Sequence, residues 1–246
     1  ANQDRYDIRI NIDNKGTHYL AVYDGHGPGG HHCAEFCKEK IPDLFLSYRG
    51  GGGEQRATNQ ARSSSSRRAM ICGCGTSPCV FGTKDALEKA YLDTNVLLVE
   101  SDEINTELSG TTSTAIVLDK DRLTVSNVGD SVVILGSKNP GSETMTASLL
   151  VKPHDLSRLD ERARIENSGG LILSAEEYDG LPKSTNSVPR IWYRESSEKL
   201  PGCAFTRSLG DEIAQKLGVS ARPEFHERRV EKDQVLVIAS DGLTDF

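Results

Sequence analysis

Apolar positions mark the elements before any chemistry does. Tyr, Val and Leu crowd residues 17–24, THYLAVYD, and predict a strand. Cys33, Phe36, Cys37, Ile41 and Leu44 then recur at helical spacing. That spacing predicts an amphipathic helix over residues 30–46, which Pro42 should kink or end. A second helix follows Thr83, read as its N-cap, with Ala86, Leu87, Ala90, Tyr91, Thr94 and Leu98 on one face. Three β segments come next, over residues 112–137: TSTAIVLD, RLTVSNVGD and SVVILGS. Tight turns at Asp119-Lys120-Asp121 and Gly129-Asp130 are expected to join them into an antiparallel meander. SRLDERARIENSGG predicts a helix stopped by Gly169-Gly170, and TRSLGDEIAQKLG a short helix or helical turn. QVLVIASDG predicts a buried strand over residues 234–240. Because the β segments come in consecutive runs, the expected fold class is α+β: two antiparallel sheets flanked by helices, not a βαβ winding.

Composition adds bounds. The 246 residues suffice for one large domain or two small ones with a real core. A hydrophobic content of 36% and a charged content of 26% are those of an ordinary soluble protein. The net charge of -7 speaks against a nucleic-acid surface and for a site built of carboxylates. No apolar run approaches a membrane span, and no signal peptide opens the sequence. Cys33, Cys37, Cys72, Cys74, Cys79 and Cys203 are irregularly spaced, which fits a reduced cytoplasmic or nuclear protein better than a disulfide scaffold. Residues 49–82 carry four consecutive glycines, four consecutive serines, and five Arg against one Glu. They read as a low-complexity basic insertion. Cys72, Cys74 and Cys79 within it match no standard zinc spacing. Its ARSSSSRR stretch would suit a basic-directed kinase, against the plainer reading of an uninformative insert.

Candidate chemistry sits at two strand ends. AVYDGHG and VIASDGLTD are each an apolar strand ending in Asp-Gly. A carboxylate just past a strand end is held by rigid backbone, and two from distant parts of the chain can converge on divalent cations. Hard oxygen ligands select Mg or Mn over zinc. His26, two residues beyond Asp24, could donate a proton beside such a centre. Asp-Gly after a strand is also one of the commonest turn signals. The spacing therefore leaves both a turn and a metal ligand open.

The segments NQD (residues 2–4), VYDGHGPGG, SGTTSTAIVL, VSNVGDS, KPHD with ERARIENSGG, LPGCAFTRSLGD and VIASDGLTD occur in this order from the first residues to the last. As a set they resemble the type 2C protein phosphatases, the metal-dependent serine/threonine phosphatases. The resemblance implies an antiparallel β-sandwich of two central sheets flanked by helices in four layers, αββα. It implies a single catalytic domain over residues 1–246, with a flap at residues 171–202 and two Mg2+ or Mn2+ ions at one end. It implies that Asp24 bridges both ions, that Gly25 offers its carbonyl to one, and that Asp241 binds the other. Asp4 is implied as the acid of an N-terminal acidic pair, and Asp130 and Asp245 as ligands of a weaker third metal. The implied reaction is hydrolysis of phosphoserine or phosphothreonine in phosphoprotein substrates. Water or hydroxide held between the ions attacks phosphorus directly, with His26 as general acid. A monomer without nucleic-acid or membrane partners is expected.

The sequence also departs from the family pattern. Gln3 stands where many members have Glu, Thr244 where many have Trp, and Val132-Val133 lack an Arg that often follows the Gly-Asp-Ser turn. The family's phosphate-gripping Arg and its last Asp ligand would fall outside residues 1–246. The chain is therefore expected to be truncated at both ends and weak or inactive alone. Gln3 and Thr244 favour an alternative, a pseudophosphatase that keeps the fold as a binding module; Asp4, Asp24, His26 and Asp241 favour the enzyme. Trp192 is expected to pack the 171–202 segment onto the body. Arg207 and Asp211 are expected to be structural, and His154 to bond a turn.

Overall fold

A computed structural model describes residues 2–50, 81–139, 141–194 and 199–243. Strands Arg5–Arg9, Thr17–Tyr23, Ser113–Asp119, Arg122–Val128 and Glu224–Arg229 form a five-stranded antiparallel sheet in that order. Alternation along its strands feeds two cores. Tyr19, Ala21, Tyr23, Ala115 and Val117 pack under the helices Gly30–Gly50 and Thr83–Val99. Their neighbours Leu20, Ile116, Leu123 and Val125 turn the other way, onto Val133, Leu236 and Ile238 of a second sheet. That sheet has Val132–Lys138 between Gln234–Ala239 and Met145–Leu149, all antiparallel. The result is the expected α+β arrangement of two packed antiparallel sheets with flanking helices. Among the described residues no helix is long and apolar enough to cross a membrane.

The helix Thr83–Val99 buries Ala86, Leu87, Ala90, Tyr91, Thr94 and Leu98, the face its periodicity predicts. Its N-cap is Gly82 rather than Thr83, and no side chain caps it. The preceding helix runs to Gly50, straight through Pro42. Proline there cannot bond the carbonyl four residues back, that of Lys38. The Arg9 guanidinium donates to that Lys38 oxygen at 3.1 Å instead, so the carbonyl is not left unsatisfied. Arg49 consequently belongs to the helix, where it bonds Thr17 and Asp119, and not to the insertion. Most of the 49–82 segment, with Cys72, Cys74, Cys79 and the ARSSSSRR stretch, lies outside the described residues.

Two β expectations change. Ser113–Asp119 and Arg122–Val128 form the expected hairpin, but Arg122–Val128 does not pair with Val132–Lys138. The Gly129-Asp130 turn instead carries the chain from one sheet to the other. The strand Gln234–Ala239 is buried on one side only: Val235 and Val237 are 52% and 39% exposed. They lie on the outer face of the second sheet, away from the interface with the first.

Strands Leu171–Ser174, Pro189–Trp192 and Pro201–Cys203 form a small sheet. Trp192 works inside this unit: it stacks on Tyr178 at 4.6 Å and donates Nε1–H to the Leu173 carbonyl. Ile191, next to it, docks the unit onto Leu156, Ile165 and Leu217.

Candidate metal centre

Strand register brings three carboxylates to one end of the sandwich. Arg5 pairs with Tyr23, so Asp4 precedes one strand where Asp24 leaves its neighbour. Asp241 follows Gln234–Ala239 of the second sheet, and Ser240 Oγ donates to Asp4 Oδ2 at 3.0 Å, tying the two sheets together there. Asp24 touches both Asp4 and Asp241 through its side chain. Burial, then the charges of Asp4 and Asp241, then hydrogen bonds with both push the Asp24 carboxyl up to about 8.

The Asp24 backbone is clamped. Its N–H donates to Thr112 Oγ1 at 3.1 Å, and its carbonyl accepts from Thr112 N–H and Thr111 Oγ1 at 2.8 and 3.0 Å. Thr112 Oγ1 is in turn 2.9 Å from Ser131 Oγ, beside Asp130. These hydroxyls sit in SGTTSTAIVL, where the sequence alone shows only a polar strand start. Gly25 follows in close quarters: a Cβ there would lie 2.4 Å from the Gly30 carbonyl oxygen and 2.9 Å from that of Gln3. Only glycine fits.

Among the described residues no group of three or more His, Cys, Asp or Glu side chains is spaced to hold a metal ion as it stands. Asp4 and Asp241 instead close on Asp24, sharing hydrogen bonds. The carboxylate oxygens that face one another are the atoms that would face a cation, and their repulsion is what a cation would relieve. The donor set, all hard oxygen, fits Mg2+ or Mn2+. Gln3 adds a buried Oε1 with no hydrogen-bond partner, while its amide nitrogen donates to the Gly27 carbonyl at 3.0 Å.

His26 lies beside this cluster. Its Nε2 is 2.6 Å from Asp211 Oδ2, and its ring meets Phe205 at 4.4 Å between centroids. Burial lowers its pKa, but Asp211, Asp130 and Asp24 together outweigh burial and hold the imidazole above its ordinary value. Asp130 and Asp241 line a cavity of about 580 Å³ whose far wall is Val188, Pro189 and Arg190. His154 secures the turn before Asp130: its Nδ1 lies 3.1 Å from the Gly129 nitrogen and 3.0 Å from the Gly129 oxygen. Asp4, Asp24, Gly25, His26, Asp130 and Asp241 are thus gathered at one end, and Asp245 lies outside the described residues. Asp211, which from sequence reads as a loop-fixing residue, is His26's partner. Its only sequence signal is another Gly-Asp after a short apolar stretch.

Comparison with known proteins agrees with this architecture. A family model described as protein phosphatase 2C matches residues 4–246. The chain is 29% identical to probable protein phosphatase 2C 35 of Arabidopsis thaliana, over all of this chain and 65% of that protein. It is 28% identical to probable protein phosphatase 2C 1 of the same plant, over 99% of this chain and 52% of that protein. It therefore spans between about half and two thirds of the length of these curated relatives. Among solved structures, a serine-threonine phosphatase 2C from Toxoplasma gondii superposes with a TM-score of 0.74 at 22% identity, covering all of this chain and 75% of that one. A C. elegans sex determining protein gives 0.67 at 20% identity, covering all of this chain and 49% of that one. Those two likenesses speak to fold; the family match spans the sequence from the first clustered acid, Asp4, to the end, and the chain belongs to the protein phosphatase 2C family.

Proposed function

We propose that this chain is the phosphatase module of a metal-dependent protein serine/threonine phosphatase, acting on phosphoprotein substrates. The observation that carries the reading is the contact of Asp24 with Asp4 and Asp241, three acids from distant segments, next to His26. Asp24 would hold both of two Mg2+ or Mn2+ ions. Asp4, Asp241 and the Gly25 carbonyl would complete their protein ligands, and Asp130 would serve a weaker third site. When bound, the ions supply an activated water nucleophile and neutralise phosphoryl charge. The chain's own residues do the rest. Thr111 and Thr112 hold Asp24 in place by its backbone, so the carboxylate needs little reorganisation. His26 would protonate the serine or threonine oxygen as it leaves. The cavity between Asp130, Asp241 and residues 188–190 accepts the residues flanking the phosphorylated side chain, with Val188 and Pro189 as an apolar wall. Residues 171–202 would thereby act as the flap that shapes substrate choice.

One observation favours a second reading, a binding module with little turnover. Gln3 is neutral at a position where the family resemblance implies an acid, and its buried Oε1 is unsatisfied. Phosphothreonine-peptide hydrolysis by the full-length protein, dependent on Mn2+ or Mg2+ and abolished by chelator, separates the two. A folded full-length protein that binds Mn2+ but releases no phosphate would establish the second.

A further inference from the structure

We propose that Asp211 is the positioning residue of the proton donor. It binds His26 Nε2, fixes the orientation of the ring, and leaves Nδ1 as the atom that serves the leaving group. The inference rests on the phosphatase reading for its chemistry but not for its geometry.

Asp211 is the N-cap of the short helix Glu212–Gln215, yet its side chain caps nothing. An Asp at an N-cap ordinarily accepts from the first turn and stabilises it by about 1 kcal/mol. Here the carboxylate is turned away from the helix, and Oδ2 meets His26 Nε2 at 2.6 Å. The backbone that allows this is unusual. Asp211 has φ 49 and ψ 50, the left-handed region that costs a non-glycine residue about 1 kcal/mol. Its N–H donates to the Ser109 carbonyl at 2.9 Å, which holds it there. Both local preferences, the cap and the right-handed backbone, are given up for one contact.

The surroundings are built around that contact. Three short strands, Gly25–His26, Gly110–Thr111 and Leu209–Gly210, pair side by side and bring His26 and Asp211 to the two edges of Gly110. A Cβ on Gly110 would lie 2.0 Å from Asp211 Oδ2, so glycine is what leaves room for the carboxylate. Phe205 covers the imidazole face. The ring is held at an edge by Asp211 and on a face by Phe205. An imidazole with one nitrogen committed to a carboxylate presents the other in a defined direction. Asp211 is itself buried, 5% exposed, so solvent does not compete for the bond.

The discriminating variable is the leaving group. Threonine alkoxide needs a proton as it departs; p-nitrophenolate does not. In the full chain with Mn2+, Asp211→Asn should lower kcat on a phosphothreonine peptide by about 30-fold with KM within about twofold, and should slow p-nitrophenyl phosphate at least about ten times less. Asp211→Gly, which suits the left-handed backbone, should show the same split if the asparagine variant folds poorly. Nitrogen-15 NMR of the imidazole gives a readout apart from turnover. The wild-type His26 Nε2–H signal should be strongly downfield, absent in His26→Gln and moved upfield in Asp211→Asn. Equal slowing of both substrates, no slowing on the peptide, or an unchanged His26 signal would overturn the assignment. If the wild type hydrolyses neither substrate, the phosphatase reading fails and the NMR comparison alone decides whether Asp211 holds the ring.

Discussion

Two carboxylates, half-buried Asp24 and fully buried Glu161, sit in opposite electrostatic worlds. Asp24 is among acids, and its carboxyl is raised to about 8 by burial and then by Asp4 and Asp241. Glu161 is completely buried within the helix Leu159–Asn167. Burial alone would raise its pKa, but Arg164, Arg207 and Thr206 bond both its oxygens and push it far below the usual range. One centre is complete within the protein. The other has like-charged groups facing each other, Asp24 against Asp4 and Asp241, an arrangement that structural packing alone does not favour. A perturbed carboxylate stabilised by its neighbours is architecture; one destabilised by them marks a site.

The largest test breaks the Asp24 centre. Asp24→Asn should cut metal-dependent phosphopeptide hydrolysis by about a thousandfold, because it removes the one group proposed to touch both ions. In metal-free buffer the same variant should unfold at the same denaturant concentration as wild type, or a higher one, since a like-charge clash has gone. Lost activity together with a large loss of stability would refute the contrast, because Asp24 would then be structural.

The second test breaks the other centre. Glu161→Gln leaves Arg164 and Arg207 short of their common acid and should destabilise the fold by about 3 kcal/mol in urea unfolding. A loss below about 0.5 kcal/mol would mean that solvent replaces Glu161, and that its burial says nothing about its role.

How legible this was from sequence differs between the two regions. At the site, an acid and a glycine after an apolar run are visible at Asp24 and Asp241, because strand ends expose the chain's change of character. Their convergence is not visible in spacing; only the order of motifs supplies it. The Glu161 hub was hidden. ERARIE has the composition of a solvated helix, and its key partner Arg207 lies 46 residues on. Gly129-Asp130 looks like any hairpin turn, yet it switches sheets, and that choice depends on which strand is free to pair. Pro42 signals a helix break, yet the helix runs on, and the Lys38 carbonyl that proline leaves unbonded is met by Arg9 from a strand. Asp211 reads from sequence as a structural residue, and only tertiary contact shows that its carboxylate meets His26. In each case the missing information is a long-range partner, not a local propensity.

A third test adds the cation. Mn2+ at about a hundred times its dissociation constant should stabilise wild type by about 2.7 kcal/mol and raise its unfolding temperature. Asp24→Asn should lose most of that gain, whereas Glu161→Gln should keep it on a lower baseline. Equal gains in wild type and Asp24→Asn would place the bound ion elsewhere.

The smallest effect is the pH dependence of metal-free stability, where the two centres should act with opposite sign. A carboxyl whose folded pKa is raised, as at Asp24, holds a proton that the unfolded chain has released between its ordinary value of 3.8 and about 8. Across that window the native state binds more protons, so the Asp24 contribution falls as pH rises. Glu161 is the reverse. Its folded pKa lies below the unfolded 4.5, so its contribution is full above that value and is lost as pH falls through it. His154, neighbouring the same network, adds to the acid side: burial lowers its pKa from 6.5 to about 4, so the unfolded chain takes up a proton first as pH drops through that range. Urea midpoints in chelator from about pH 3 to about pH 9 should therefore carry both contributions, with that of Asp24 set against that of His154 where their ranges overlap. Asp24→Asn should flatten the alkaline limb, the fall between pH 3.8 and about 8, and Glu161→Gln should blunt only the loss below pH 4.5. An alkaline limb that survives in Asp24→Asn would show that the acids at this end do not repel one another in solution, and would remove the electrostatic ground for distinguishing the two centres.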